Sequence, residues 1–147
     1  PTGAGKTVVF AEISKAISVY VRAYLDRRHW KKQDKIVMTE LWVNYQDKYQ
    51  FQEYHDHRER VLSGVYYIDV PEGAPDLIIK TPLKANFDDL WFESEENREV
   101  NKLKVETGDL VLFPGWLEHG VDANLLDEPR INVAFNFGIP ELVHALK

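Results

Sequence analysis

Cysteine is absent from this chain of 147 residues. That one absence excludes disulfides, thiolate zinc sites, iron–sulfur clusters and cysteine nucleophiles together. It fits a reducing compartment, so a cytoplasmic location is expected. Long apolar runs are missing as well. No stretch reaches the roughly 20 residues of a membrane span, and no signal peptide is legible, so no membrane partner is expected. Basic residues are sparse and dispersed. Lys and Arg number 18 against 24 Asp and Glu, a net charge of −6, and basic clusters stop at pairs such as Arg27-Arg28 and Lys31-Lys32. Such a balance predicts solubility and no nucleic-acid groove.

What is present is ordinary for a globular protein, with an aromatic share of 12% that suits a β-rich core. The length predicts a single domain over residues 1–147, with an N-terminal segment and helix in 1–35 and a β core in 36–140. Val9, Ile13, Ala16, Ile17, Tyr20 and Tyr24 fall on one stripe at helical spacing, which predicts a helix over 8–25. From Ile36 the period changes. β-Branched and aromatic residues over 36–45, 50–57, 62–70, 77–80, 110–113 and 130–137 predict strands, and Pro71-Glu72-Gly73 and Pro114-Gly115 supply turns. Residues 84–101, with the acidic cluster Glu93 to Glu96, read as a surface excursion. One leading helix followed by many short strands predicts a sandwich or barrel flanked by that helix.

Pro1-Thr2-Gly3-Ala4-Gly5-Lys6-Thr7 resembles a phosphate-binding loop, with Gly-Lys-Thr ahead of a helix. No strand precedes it, and no later apolar strand ends in an acidic pair for magnesium. The rest of the chain does not describe a parallel α/β sheet. The expectation is a frayed terminus or a segment left from a fusion, without a nucleotide site.

Of five histidines, His29 and His144 lie in polar or terminal surroundings and are expected to be solvated. His55-Asp56-His57 differs. Residues two apart on a strand share a face, so both imidazoles would project together, as metal ligands do. His119 follows a strand that ends at Pro114-Gly115. Eleven residues later Arg130 opens an alternating strand in which Ile131, Val133, Phe135 and Phe137 form an apolar face. Arg130, Asn132, Ala134 and Asn136 form the other. A guanidinium on an inward face needs an anionic partner, because burying it unpaired costs several kcal/mol. A dicarboxylate would serve through a bidentate pair.

With these residues in view, the chain resembles the 2-oxoglutarate/iron(II)-dependent oxygenase superfamily. It is similar to a small branch found in bacteria and tailed phages, and to the prolyl hydroxylases. The resemblance rests on Trp42-Val43-Asn44, His55-Asp56-His57, Leu62 to Ile68, Gly108 to His119 and Arg130 to Asn136, in that order, from about Leu41 to Gly138. It implies a double-stranded β-helix, or jelly roll. It also implies iron(II) as metal, 2-oxoglutarate as cosubstrate, and hydroxylation of a small molecule or peptide with decarboxylation to succinate. By the same resemblance His55 and His119 are iron ligands, and Arg130 and Tyr67 hold the far carboxylate of 2-oxoglutarate. Asn44 and Asn132 belong to the pocket wall. The superfamily's usual motif is His-x-Asp or His-x-Glu, whereas His57 stands two after His55 here. We take His57 as the second ligand, with Asp56 and a His57/Glu59 register as the alternatives. Two other readings keep the jelly roll: a cupin-like three-His metalloenzyme without keto-acid, and a binding module without catalysis.

Overall fold

The computed structural model describes residues 3–30, 33–80 and 100–140, with residues 3–10 and 33 by backbone alone. Helix α1 spans Gly3–Arg27, longer at both ends than its periodicity predicts. Gly3 to Thr7 are therefore helical, leaving no loop there to curl around a phosphate. The buried stripe runs through Ile13, Ile17, Val21, Tyr24 and Leu25. Tyr20, expected on that stripe, is instead exposed, as is Ala16. The sheet selects the i, i+4 row 13-17-21-25 over the neighbouring row through Tyr20. The helix stops where His29 adopts a left-handed φ of 52°. His29 N–H donates to the Asp26 carbonyl at 3.0 Å and Trp30 N–H to the Leu25 carbonyl at 3.2 Å, a Schellman ending. His29 is exposed, as expected, and its service is to this cap.

Eight strands follow among the described residues: β1 (Val37–Gln46), β2 (Gln52–His55), β3 (Leu62–Asp69), β4 (Leu77–Lys80), β5 (Val100–Leu103), β6 (Leu110–Pro114), β7 (His119–Val121) and β8 (Arg130–Gly138). They form two four-stranded sheets, ordered β1-β8-β3-β6 and β2-β7-β4-β5, with every pairing antiparallel. This is the expected jelly roll. Three sequence expectations need correction. The second strand ends at His55, not at residue 57. The stretch 84–101 lies outside the described residues up to 99, but its end joins strand β5. His119 begins a short strand instead of riding on an excursion. These last two strands are 4 and 3 residues long, too short to show a period.

The core is split by β8. Phe135 and Phe137 face outward and pack with Ile17, Val21 and Leu25 of α1 and with Ile36 and Leu62. Tyr67, Leu77, Val105 and Phe113 form a second cluster. The opposite face of β8 therefore lines the space between the sheets, and it carries the polar residues.

Candidate functional site

The first group of interest comes from the smaller sheet. β2 and β7 pair with His55 directly opposite His119. Cross-strand partners share a face, so register alone brings these two rings to a centroid separation of 4.3 Å. His57 lies beyond the strand end and arrives by another route. Its N–H donates to the Gly115 carbonyl at 2.7 Å, and its own carbonyl accepts from Arg60 N–H at 2.7 Å. A Cβ on Gly115 would stand 2.3 Å from the Arg60 carbonyl oxygen and 2.7 Å from that of His57. Glycine is thus what lets the 57–60 turn lie against the end of β6. The His57 ring then sits 5.0 Å from His55 and 5.3 Å from His119. The shared strand face expected for the two histidines is replaced by this turn, yet the convergence holds.

Ligand nitrogens of His55, His57 and His119 all lie within 4.8 Å of one another, a spacing that one metal ion could fill. His55 Nδ1 is 2.8 Å from the Glu53 carbonyl, and His119 Nδ1 is 2.9 Å from the Leu117 carbonyl. A carbonyl only accepts, so Nδ1 carries the proton in both rings and Nε2 is left with its lone pair free. Burial pushes the pKa of His119 down to about 4. It lowers that of His57 too, aided by neighbouring His55. Neutral imidazoles are the ligating form. Asp56 and Glu59 are engaged elsewhere. Asp56 accepts from Arg58 Nε at 2.8 Å, and Arg58 holds its carboxyl below the usual range. Glu59 is 3.5 Å from Arg60. Neither carboxylate joins the three-imidazole group.

The second group comes from β1 and β8. Their register sets Glu40 opposite Asn136, Trp42 opposite Ala134, Asn44 opposite Asn132 and Gln46 opposite Arg130. Three of those four pairs are hydrogen-bonded. Asn136 Nδ2 donates to Glu40 Oε2. Asn44 Nδ2 donates to Asn132 Oδ1 at 2.9 Å, and Arg130 Nη1 to Gln46 Oε1 at 3.2 Å. The ladder continues sideways, with Ser63 donating to Asn136 at 2.7 Å and Arg60 gripping Glu40 through Nη2 at 2.6 Å and Nε at 3.2 Å. A polar inner face is thereby satisfied almost completely, as a buried network must be.

The exceptions are informative. Arg130 is 1% exposed and Tyr67 is 0% exposed, and the guanidinium carbon stands 4.8 Å over the Tyr67 ring. Four buried atoms lack a hydrogen-bond partner: Arg60 Nη1, which still lies 3.5 Å from the Glu59 carboxylate, and Arg130 Nε, Arg130 Nη2 and the Tyr67 hydroxyl. Nε and Nη2 lie on one edge of the guanidinium, the side-on fork that grips a carboxylate with two parallel bonds. Burial raises the Tyr67 pKa and keeps the phenol neutral. It lowers that of Arg130, but a guanidinium keeps its proton in a protein, so the pair is a cation and a neutral phenol, both able to donate. A buried cation with a free fork and an adjoining free hydroxyl fits a carboxylate ligand.

Both groups line one cavity of about 600 Å³, which also takes in Asn44, Asn132, Ser63 and Asn136. Trp42, Tyr49 and Phe51 stand at its exposed rim. Gln46, Glu40, Arg60 and Ser63 were not singled out by the sequence reading. For Glu40 and Gln46 the signal was the period of two within β1, Glu40-Trp42-Asn44-Gln46, which matches that of β8; Arg60 and Ser63 lie outside that strand and had no such signal.

Among family models, one described as "Putative 2OG-Fe(II) oxygenase" matches residues 40–136. No curated protein matches at a significant level. Among solved structures, the chain is similar to an oxidoreductase of the 2OG-Fe(II) oxygenase family from Burkholderia pseudomallei, with TM-score 0.55 and 11% identity over 70% of this chain and 45% of that one. It is similar to HygX from Streptomyces hygroscopicus with nickel and 2-oxoglutarate bound, with TM-score 0.53, 16% identity and coverages of 70% and 56%. It also resembles the non-heme alpha ketoglutarate dependent epimerase SnoN from nogalamycin biosynthesis, with TM-score 0.53, 15% identity and coverages of 69% and 46%. The chain spans about half the length of these structures. At such identities the likeness carries the fold.

Proposed function

This chain belongs to the 2OG-Fe(II) oxygenases, and from that premise we propose that it hydroxylates a small-molecule or peptide substrate while 2-oxoglutarate is decarboxylated to succinate. The family's cofactors are iron(II) and the cosubstrate 2-oxoglutarate. In this reading His55, His57 and His119 hold the iron through Nε2 of the outer two and a ring nitrogen of His57. Arg130 receives the far carboxylate of 2-oxoglutarate on its Nε/Nη2 edge, and Tyr67 donates its hydroxyl to the same group. Asn44 and Asn132 form the wall between. The single observation that carries the reading is the buried, unpartnered edge of Arg130 in the same cavity as three converging imidazoles.

Bound together, iron and 2-oxoglutarate supply the oxidising chemistry: dioxygen and the keto-acid yield succinate, carbon dioxide and one oxygen atom for a substrate C–H. The chain's own residues bind and orient. The guanidinium fixes one end of the cosubstrate so that its keto-acid end can reach the imidazoles. The Glu53 and Leu117 carbonyls hold two rings in the ligating tautomer. Phe113, 4.6 Å from the His119 ring, and Tyr67 keep that side of the cavity dry.

Three neutral imidazoles leave a divalent centre one unit more positive than two imidazoles and a carboxylate. That favours anionic ligands in the remaining positions, a keto-acid among them. The test is conversion of labelled 2-oxoglutarate to succinate and carbon dioxide by the iron-loaded chain, abolished by a chelator. Metal binding without keto-acid turnover would overturn the reading in favour of the cupin-like one.

A further inference from the structure

We infer that Gln46 is a positioning residue for 2-oxoglutarate: its side-chain carbonyl engages Nη1 of Arg130 and so leaves the Nε/Nη2 edge as the free seat for the cosubstrate's far carboxylate. The inference rests on the cosubstrate reading above and deepens it. An arginine offers two forks, one formed by Nε with Nη2 and one by Nη1 with Nη2, and a buried carboxylate can take either. Here one fork is engaged and the other left free before any ligand arrives. Gln46 and Arg130 are register partners across β1 and β8. Gln46 Oε1 accepts from Nη1 at 3.2 Å, while Nε and Nη2 have no partner.

The orientation of the Gln46 amide is fixed by its other end. Gln46 Nε2 donates to the Gln50 carbonyl at 2.8 Å and to the Asp122 carbonyl at 3.1 Å. Both of those groups only accept, so a flipped amide would lose both bonds and turn a donor against a guanidinium. Fully buried Asn124 backs the arrangement, donating to the Gln46 main-chain carbonyl at 3.0 Å and to the Glu128 carbonyl at 2.9 Å. The Tyr67 ring lies against the guanidinium, with its centroid 4.8 Å from the guanidinium carbon. Cap and ring together leave the Nε/Nη2 edge for the carboxylate. A neutral cap is also essential to the chemistry. A carboxylate in that place would neutralise Arg130 and compete with the cosubstrate.

The test compares Gln46→Leu and Gln46→Glu with the parent, all as the full chain loaded with iron(II) without oxygen. Two probes are titrated by calorimetry and by the visible band of the iron–keto-acid chelate. One is 2-oxoglutarate. The other is 2-oxobutyrate, which keeps the keto-acid end and lacks the far carboxylate. We expect 2-oxoglutarate affinity to fall roughly tenfold in Gln46→Leu, the scale of one hydrogen bond to a charged group, and further in Gln46→Glu. Affinity for 2-oxobutyrate and for iron should stay at the parent value in both. Equal losses for both keto-acids would mean that Gln46 acts only through the fold, and would overturn the inference. Unchanged 2-oxoglutarate affinity in both variants would do the same. Arg130→Ala separates the two levels. If it weakens 2-oxoglutarate while Gln46 variants do not, the cap alone is wrong. If Arg130→Ala changes nothing either, the cosubstrate reading itself has failed.

Discussion

Replacing Arg130 by alanine should abolish most of the affinity for 2-oxoglutarate while sparing the metal. The guanidinium is 1% exposed, and its free edge has two unpartnered nitrogens. A hydrogen bond to a charged group contributes about 1.5–3 kcal/mol, and removing one partner of a buried pair costs about 3–5 kcal/mol. At about 1.4 kcal/mol per decade, the upper range is roughly a hundredfold to a few thousandfold in dissociation constant. The upper range applies because, among the described residues, no other cation lines the cavity: Arg60 is held on Glu40, and Asn44, Asn132 and Asn136 are neutral amides already engaged with one another and with Glu40. The same loss should be visible in thermal stability. A ligand at 100 times its dissociation constant stabilises the folded state by about 2.7 kcal/mol, and a hundredfold weaker one at that concentration by only about 0.4 kcal/mol. The ligand-free variant should not melt markedly lower than the parent, since it loses a desolvated cation that has no counter-ion. Iron affinity should hold, because none of the three imidazoles touches this side chain. Arg130→Lys should recover only part of the loss, lacking the planar fork. Anaerobic titration of the iron-loaded variants with 2-oxoglutarate measures all of this, and an unchanged dissociation constant in Arg130→Ala would refute the assignment of the carboxylate seat.

Other outcomes follow from the same geometry. The metal-free protein should lose stability in mild acid. His119 has its pKa lowered from 6.5 to about 4 in the folded state, so the unfolded chain takes up the proton first as pH falls below 6.5. Its contribution is complete above that pH and shrinks down to about 4, amounting to about 2 kcal/mol between pH 7.5 and 5. His57 adds in the same direction, and a urea midpoint equal at those two pH values would contradict the placement of these rings. Gly115→Ala should displace the 57–60 turn, because its Cβ would stand 2.3 Å from the Arg60 carbonyl oxygen. A stability loss of about 1–3 kcal/mol should accompany weakened metal binding, and iron affinity at the parent value would show that Gly115 does not place His57. Lys6→Ala should leave keto-acid turnover unchanged, since Gly3 to Thr7 form part of a helix. Specific ATP binding by the parent, lost in this variant, would count against that.

The histidines and Arg130 were legible because each sits in a pattern that chemistry constrains strongly: paired imidazoles, a strand-ending Pro-Gly before a third, and an alternating strand with a cation on its polar face. Even there the three rings converge by a path that periodicity does not predict. A period of two places His55 and His57 on one strand, whereas β2 stops at His55 and His57 is brought in by its bond to Gly115. Local spacing cannot tell those cases apart, because the deciding contact lies 58 residues further along the chain. The same limit hid β5 and β7, which are defined by partners across the sheet more than by any run of their own. It hid Gln46 most completely. A glutamine at the end of a strand ordinarily reads as a solvated edge residue. Its meaning appears only when the β1–β8 register sets it opposite Arg130. Read jointly, the two strands would have carried the signal. Glu40, Asn44 and Gln46 repeat the polar rhythm of Asn136, Asn132 and Arg130 in reverse order, as antiparallel partners on one sheet face must. A polar alternation on one predicted strand leaves open whether that face meets solvent or a ligand. Matched polar alternations on two strands, one ending in an arginine, favour the ligand. Solvent needs no partner-by-partner pairing across strands, whereas a buried seat for a carboxylate needs every neighbouring polar group satisfied except the ones that will hold it.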